Sequence, residues 1–519
     1  MVNTKEQPKS TRPVFTSATK SAYGKSSNGT SDNTTGNGPT AGTNVKSKKI
    51  TTMAMAFMTA AAIISLRGLP MMAAEEMTMF FYIGFATIFF LIPAALVSAE
   101  LGSAFSGQEG GVYKWVGAAF GKKWGFTAIW LQWIQNVVWY PTVLAFAAAA
   151  IAYGIGKPEL ASNGMFTGIF IIAFYWIATF IAFGGTKILS KVTSWGFIVG
   201  TVLPGIIVII LGIVWFASKK PLGFEELTAA ETTVATVVNG KVSPRWFPNL
   251  ANLQNLSFLS GIVLLFAGVE VQAVHASDME NPKKQYPLAI FISAIIVFLL
   301  FTFGSLAIAA VVPNSQLKLE SGLMQALTSM LASVKMSWAL PVLAFCVAFG
   351  SLGGVLSWIS GPSKGLLTTA KDGLLPEKLT ATTKAGAPKN MMLIQGVIVT
   401  VLASLYFVMK NVSVAFFLLS ALTVAVYIIM YILMYAAAIV LRKKQPNMER
   451  PYKAPALYLL AIVGILAAVF ALVLSFIPPA QLPVGNPVSY VAIVAIGTVG
   501  FFIIPLIIAN RKKPKTNKK

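Results

Sequence analysis

One cysteine and one histidine occur in 519 residues. A single cysteine forms no intrachain disulfide, and with one histidine beside it no Cys/His metal cluster can be assembled. Charge is scarce as well: Asp, Glu, Lys and Arg make up 11% of the chain, against roughly 25% in a soluble domain. Catalytic acids or histidines do not gather at any one place, so a polytopic membrane enzyme is not indicated, and no cofactor is expected. A secretory signal is not expected either, because no apolar stretch with a small-residue cleavage site precedes the first long hydrophobic run.

What the chain has in abundance is apolar sequence, with 56% hydrophobic residues and a mean hydropathy of +0.73. Twelve runs are long enough to cross a hydrocarbon core of about 30 Å as helices of about 20 residues. They are apolar throughout rather than alternating, which excludes the strands of a membrane barrel. The expected class is an all-α membrane protein of twelve spans. Residues 1–46 are polar, Ser/Thr/Asn/Gly-rich and expected to be a disordered tail, 47–510 form the membrane domain, and 511–519 form a basic tail suited to anionic lipid headgroups.

The net charge of +23 is explained by location. An even number of spans puts both ends on one side, and that side then holds 31 of the 40 Lys and Arg residues. The asymmetry follows the positive-inside rule and makes both termini cytoplasmic. No nucleic-acid partner is needed to account for it. The loop 218–253, with turn signals at Pro221, Asn239-Gly240 and Pro244, is expected to cap the outer face. The segment 361–390, with Gly361-Pro362 and Asp372-Gly373, is expected to lie at the inner interface.

Two spans carry a glycine and a charge where an uninterrupted helix has neither: Ser65-Leu66-Arg67-Gly68-Leu69-Pro70 in the first and Phe266-Ala267-Gly268-Val269-Glu270 in the sixth. Glycine lets the backbone leave helical geometry, and Pro70 suits the first turn of a restarted helix. Backbone amides freed there attract an anionic group, and Arg67 adds a full charge near midplane. A buried arginine is too costly to face lipid. It therefore contacts a solute or coupling ion, pairs with an acid such as Glu270, or snorkels to an interface. Glu270 has comparable alternatives: proton relay, pairing with Arg67, or capping of freed amides. Discontinuous helices at matching places of two repeats are the best sequence pointer to a transport site.

Other residues are less decisive. Gln132, Gln135, Asn136, Trp139 and Tyr140 recur at near-helical spacing in the third span and serve either interhelical packing or cavity lining. Tyr427, Tyr431 and Tyr435 lie four apart on one face of the tenth span, as core packing or as an aromatic gate. Trp358 in the eighth span poses the same choice. His275 sits near the inner end of the sixth span and reads first as an interfacial hydrogen-bonding residue.

Taken together these residues resemble the amino acid–polyamine–organocation transporter superfamily, and most closely its glutamate/GABA antiporter branch. The resemblance rests on Glu109-Gly110-Gly111-Val112-Tyr113-Lys114-Trp115-Val116, Phe183-Gly184-Gly185-Thr186-Lys187, Gly268-Val269-Glu270 through Met279-Glu280-Asn281-Pro282 to Tyr286-Pro287-Leu288-Ala289, Ser357 to Ser363, and Ala421 to Tyr427. It implies a fold like the bacterial leucine transporter's, a 5+5 inverted repeat over about 48–217 and 254–441 with two extra helices over about 455–509. It further implies alternating access, with substrate between the broken first and sixth spans. The substrate-binding set then comprises Ile64, Ser65, Arg67, Gly68, Phe266, Ala267, Gly268, Asn136, Trp139, Trp358, Tyr427 and Tyr431, with Arg67 and Glu270 as coupling residues. The antiporter branch has an acid where this chain has Gly354 and a tyrosine near the position of Arg67, and several relatives have a lysine in span five where Val192 to Gly196 offers none. Arg67 is thus expected to supply the fixed positive charge. The partners implied are an amino acid substrate, protons and membrane lipids. A polyamine or organic-cation carrier, or a transporter-like amino acid receptor, are the alternatives.

Overall fold

The computed structural model of the chain describes residues 49–105, 108, 110–223, 235–238, 241–273, 275 and 279–511. The expected tail 1–46, all of the expected tail 511–519 but Arg511, the Asn239-Gly240 turn, Glu109 and Asp278 lie outside them. Among the described residues, eleven helices are long and apolar enough to cross a membrane, and twelve if one bent pair counts as a single span. That pair, Thr52–Ile63 with Leu66–Ala73, is span one. Spans two to six are Glu76–Ala104, Lys122–Gly154, Gly164–Phe183, Lys191–Ala217 and Leu253–Ala273. Spans seven to twelve are Pro282–Ala309, Ser337–Lys371, Lys389–Val408, Val412–Lys444, Leu457–Ser475 and Pro487–Asn510. We call the face at which span one begins the near face and the opposite one the far face.

Polar caps start several of these apolar helices. Side-chain oxygens of Thr51, Asn163, Asn411 and Asn486 accept from backbone N–H groups of the first turns of spans one, four, ten and twelve, meeting donors that a helix cannot meet itself. Spans one to five and six to ten each open with an interrupted helix and cross an odd number of times, so the two halves run in opposite directions. Spans three, six and ten are the most buried and span twelve the least, which places the centre of the bundle on spans three, six and ten.

Close backbone contact joins spans five and eight. A Cβ built on Gly200 would lie 2.3 Å from Gly350 Cα, and one on Gly196 would lie 3.1 Å from Gly353 Cα. Small residues allow this approach, the usual basis of helix association in membranes. Spans four, eight and nine are joined by a buried polar chain in which Ser363 Oγ donates to Gln395 Oε1 at 3.1 Å and Gln395 Nε2 donates to Tyr175 Oη at 2.5 Å. On the near face, Glu100 at the end of span two accepts from Arg442 Nε at 2.8 Å and from Ala454 N at 2.8 Å, and lies 3.2 Å from Arg450 Nε. A parallel bridge between Ile50 and Met279 ties the chain just before span one to the segment after span six.

One feature departs from the sequence reading. Span eight runs to Lys371 rather than ending near residue 360, with Pro362 inside it. The hydrogen bond that proline removes falls where Trp358, Gly361 and Pro362 border a cavity, so the freed carbonyl need not meet lipid. Within the loop 218–253 an antiparallel hairpin, Ala235–Val238 with Lys241–Pro244, precedes a stretch packed on the start of span two, where Thr78 Oγ1 donates to Arg245 O at 2.9 Å.

The glycine crossing yields a stability prediction. Gly200→Ala is expected to destabilise the detergent-purified protein by about 1–3 kcal/mol through overpacking. Gly354→Ala, whose Cβ would meet nothing within 4 Å, is expected to unfold at the wild-type temperature. Equal thermal unfolding temperatures for the two variants would contradict the crossing.

Candidate functional site

Span one stops as a helix at Ile63, and Ile64 N–H closes its last turn on Ala60 O at 2.8 Å. Ser65 is extended, Leu66–Gly68 forms a 3-10 turn, and Leu69–Ala73 restarts the helix with Pro70 in its first turn. The two halves meet at 48°. Gly68 packs tightly there: a Cβ on it would lie 2.3 Å from Leu265 Cδ1, so a larger residue must displace that side chain. Span six stops at Leu265, passes through Phe266 to Val269, and resumes as the short helix Glu270–Ala273. Gly268 turns the chain with φ +110, a region glycine enters without steric cost.

Freed backbone at the second break is met from span ten. Gly268 N–H donates to Tyr431 Oη at 2.8 Å, and Tyr431 in turn donates to Glu270 Oε2. Glu270 Oε1 accepts from Tyr427 Oη at 2.5 Å and from Gln132 Nε2 at 2.8 Å. The carboxylate, 1% exposed, is therefore held by donors from spans three and ten. Arg67 is not among its partners. The Arg67–Glu270 ion pair considered from the sequence does not form, because the two breaks point their charged side chains into different parts of the bundle.

Arg67 is 3% exposed and makes no ion pair with a described residue. Its Nη1 donates to Thr142 Oγ1 at 3.1 Å and Ser420 Oγ at 3.3 Å. Its guanidinium carbon lies 5.9 Å from the Trp139 ring centre and 5.4 Å from that of Phe416, within cation–π range. Nε is buried without a hydrogen-bond partner among the described residues. An unmet buried donor costs about 1–3 kcal/mol, so the site is built with one donor in reserve.

Beside Arg67 lies a cavity of about 580 Å³ that extends toward the near face. Of the residues expected to bind solute, Ile64, Ser65, Arg67, Asn136, Trp139, Ala267, Trp358 and Tyr427 line it. Gly68, Phe266, Gly268 and Tyr431 stand behind its wall: Phe266 packs on the Phe301 ring at 5.3 Å and Tyr431 on Phe90 at 4.9 Å. Trp358 also covers Gly268, with ring carbons 3.1 Å from a built Cβ. Lining residues that sequence reasoning missed include Phe146 in span three, Thr193 and Thr201 in span five, and Ser357 in span eight. Isolated hydroxyls in apolar helices usually bond their own backbone, and nothing in these positions distinguishes the two uses. Among the described residues, Arg67 is the only charged side chain on the lining.

Beyond Arg67 toward the far face, Leu69 to Ala74 are buried. Gly322, at the start of the helix Gly322–Ser333, packs on Pro70. Before it, the buried Glu320 accepts from Ser413 Oγ at the start of span ten. Burial holds the Glu320 carboxyl above the ordinary glutamate range, only partly offset by the Ser413 hydroxyl and the Lys318 charge.

A bundle of eleven or twelve membrane-length helices, with two interrupted ones flanking a cavity open toward one face, defines a multi-pass membrane permease. The chain belongs to the amino acid permease family, whose model matches residues 50–501. It is 38% identical over 472 residues to an uncharacterized transporter of Legionella pneumophila, covering 90% of this chain and 98% of that one. It is 30% identical over 471 residues to a glutamate/gamma-aminobutyrate antiporter of Lactococcus lactis, covering 89% and 91%. A probable agmatine/putrescine antiporter of the same species is 26% identical over 453 residues, covering 85% and 90%. These relatives are transporters, and the chain is a membrane transporter-family protein rather than an enzyme.

The Glu270 cluster generates a paired prediction. Tyr431→Phe removes a donor to Glu270 and the acceptor of Gly268 N–H, at an expected cost of about 1–3 kcal/mol. Tyr435→Phe removes a buried hydroxyl that has no partner and is expected to be neutral or slightly stabilising. Thermal unfolding of the purified variants checks both; the reverse order would contradict the cluster.

Proposed function

We propose that the protein is a secondary active transporter that moves amino acids across a bacterial cytoplasmic membrane by alternating access. In this reading the solute sits between the interrupted spans one and six, and both termini are cytoplasmic. The distribution of basic residues supports the orientation, which makes the near face cytoplasmic and the cavity inward-facing. Backbone at the breaks where the cavity reaches it, at Ile64, Ser65 and Ala267, serves the α-amino and α-carboxylate groups. Asn136, Trp139, Trp358 and Tyr427 shape the remainder.

The observation that carries the reading is Arg67, which has no ion-pair partner among the described residues and is alone among them in bringing charge to the cavity lining. At about 5 Å and an effective dielectric of about 20, a unit charge interacts with it by about 3 kcal/mol. That interaction attracts a carboxylate and repels an ammonium. The preferred substrate therefore carries a carboxylate beyond its α-carboxylate, with small neutral amino acids next and diamines last. Relatives that carry putrescine or agmatine do not outweigh this sign. Exchange and proton symport are both compatible with the site. For proton coupling, Glu270 is the group of choice, since protonating it weakens its hold on span three and span ten donors.

Radiolabel uptake into proteoliposomes tests the reading. Wild-type protein is expected to take up L-glutamate saturably. Arg67→Ala is expected to raise KM for it about 100-fold, the factor that about 3 kcal/mol represents. Unchanged flux and substrate preference in Arg67→Ala would remove Arg67 from the site. Saturable binding without flux would favour a receptor.

A further inference from the structure

Thr142 and Ser420 each carry one hydroxyl proton, and both protons are spoken for. Thr142 Oγ1 donates to Trp139 O at 2.7 Å and Ser420 Oγ donates to Phe416 O at 2.8 Å. Only lone pairs remain on the two oxygens, and both face Arg67 Nη1. The residues whose carbonyls take the hydroxyl protons are the same two whose rings flank the guanidinium. Spans three and ten thus each contribute one unit of the same kind: an aromatic residue, and one turn later a hydroxyl that its own backbone orients as an acceptor.

The arrangement decides which edge of the guanidinium is free. Nη1 has two N–H groups, and Thr142 and Ser420 accept both. The fork between Nη1 and Nη2 is thereby broken up. What remains is the Nε–Nη2 edge, in which Nε is buried without a partner. Two parallel donors on one edge match the two oxygens of a carboxylate, a geometry lysine cannot offer. We propose that Thr142 and Ser420 are positioning residues for substrate: they lock Arg67 so that its Nε–Nη2 edge receives the substrate's second carboxylate. This rests on the transport reading above and deepens it, because selectivity then depends on orientation as well as on charge.

The test measures concentration-dependent uptake of L-glutamate by the full-length protein in proteoliposomes, with L-glutamine as the uncharged isostere in competition. Thr142→Val and Ser420→Ala are each expected to raise KM for glutamate about tenfold, the scale of a hydrogen bond to a charged group. kcat is expected to change by less than about twofold, since a lost binding contact appears in KM alone. The preference for glutamate over glutamine is expected to narrow in both variants. Thr142→Ser and Ser420→Thr keep the hydroxyl and are expected to restore wild-type KM and preference. A role confined to packing would lower uptake of both solutes together and leave their ratio unchanged, and that result overturns the proposal. So does wild-type KM and preference in both hydroxyl-free variants, while loss of glutamate uptake in Arg67→Ala would leave the transport reading standing. Wild-type glutamate KM in Arg67→Ala overturns the proposal and removes Arg67 from the site while transport itself stands; no glutamate binding or uptake by the wild-type protein overturns both. Either hydroxyl-free variant suffices should the other fail to fold.

Discussion

Backbone that leaves helical geometry inside a membrane bundle must find its hydrogen-bond partners within the protein, because hydrocarbon supplies none. The second break meets this constraint through Tyr431, which accepts from Gly268 N–H and donates to Glu270. Tyr427 and Gln132 complete the carboxylate's set. Span six can therefore unwind at midplane only because spans three and ten stand beside it. The cavity, the position of Trp358 over Gly268 and the separation of Glu270 from Arg67 all follow from that junction.

The first break is met differently, and the difference gives the site its polarity. Arg67 lies between two aromatic rings and on two hydroxyl oxygens, with no carboxylate among the described residues to neutralise it. Hydroxyl acceptors and ring faces stabilise a guanidinium while leaving its net charge intact. The acid that would have cancelled it, Glu270, is occupied by other donors. Among the described residues the result is a fixed positive charge on an otherwise uncharged cavity lining, and the proposed preference for a carboxylate-bearing solute rests on its sign.

Much of this was legible in sequence because hydropathy and chain reversal act locally. The twelve apolar runs match the eleven long helices and the bent pair, while span eight runs past Gly361-Pro362, which signals a turn in water but is tolerated where a membrane helix borders a cavity. Glycine beside a charge located both breaks. The partners of those charges were not legible. Gln132 and Tyr427 are 138 and 157 residues from Glu270, and which of several buried polar groups pair is decided by side-chain direction. The Tyr427/Tyr431 spacing marked one helical face without showing that it faces an acid. Likewise Thr142 and Ser420 look like ordinary backbone-bonded hydroxyls until Arg67 is placed between them.

The central claim is that the charge of Arg67 sets the charge of the solute. Calorimetric binding of three amino acids of similar size to the purified full-length protein tests it most directly: L-glutamate, L-glutamine and L-ornithine differ chiefly in the charge of the side-chain end. The account predicts that glutamate binds tightest, glutamine more weakly and ornithine weakest. Ornithine binding as tightly as glutamate would contradict it.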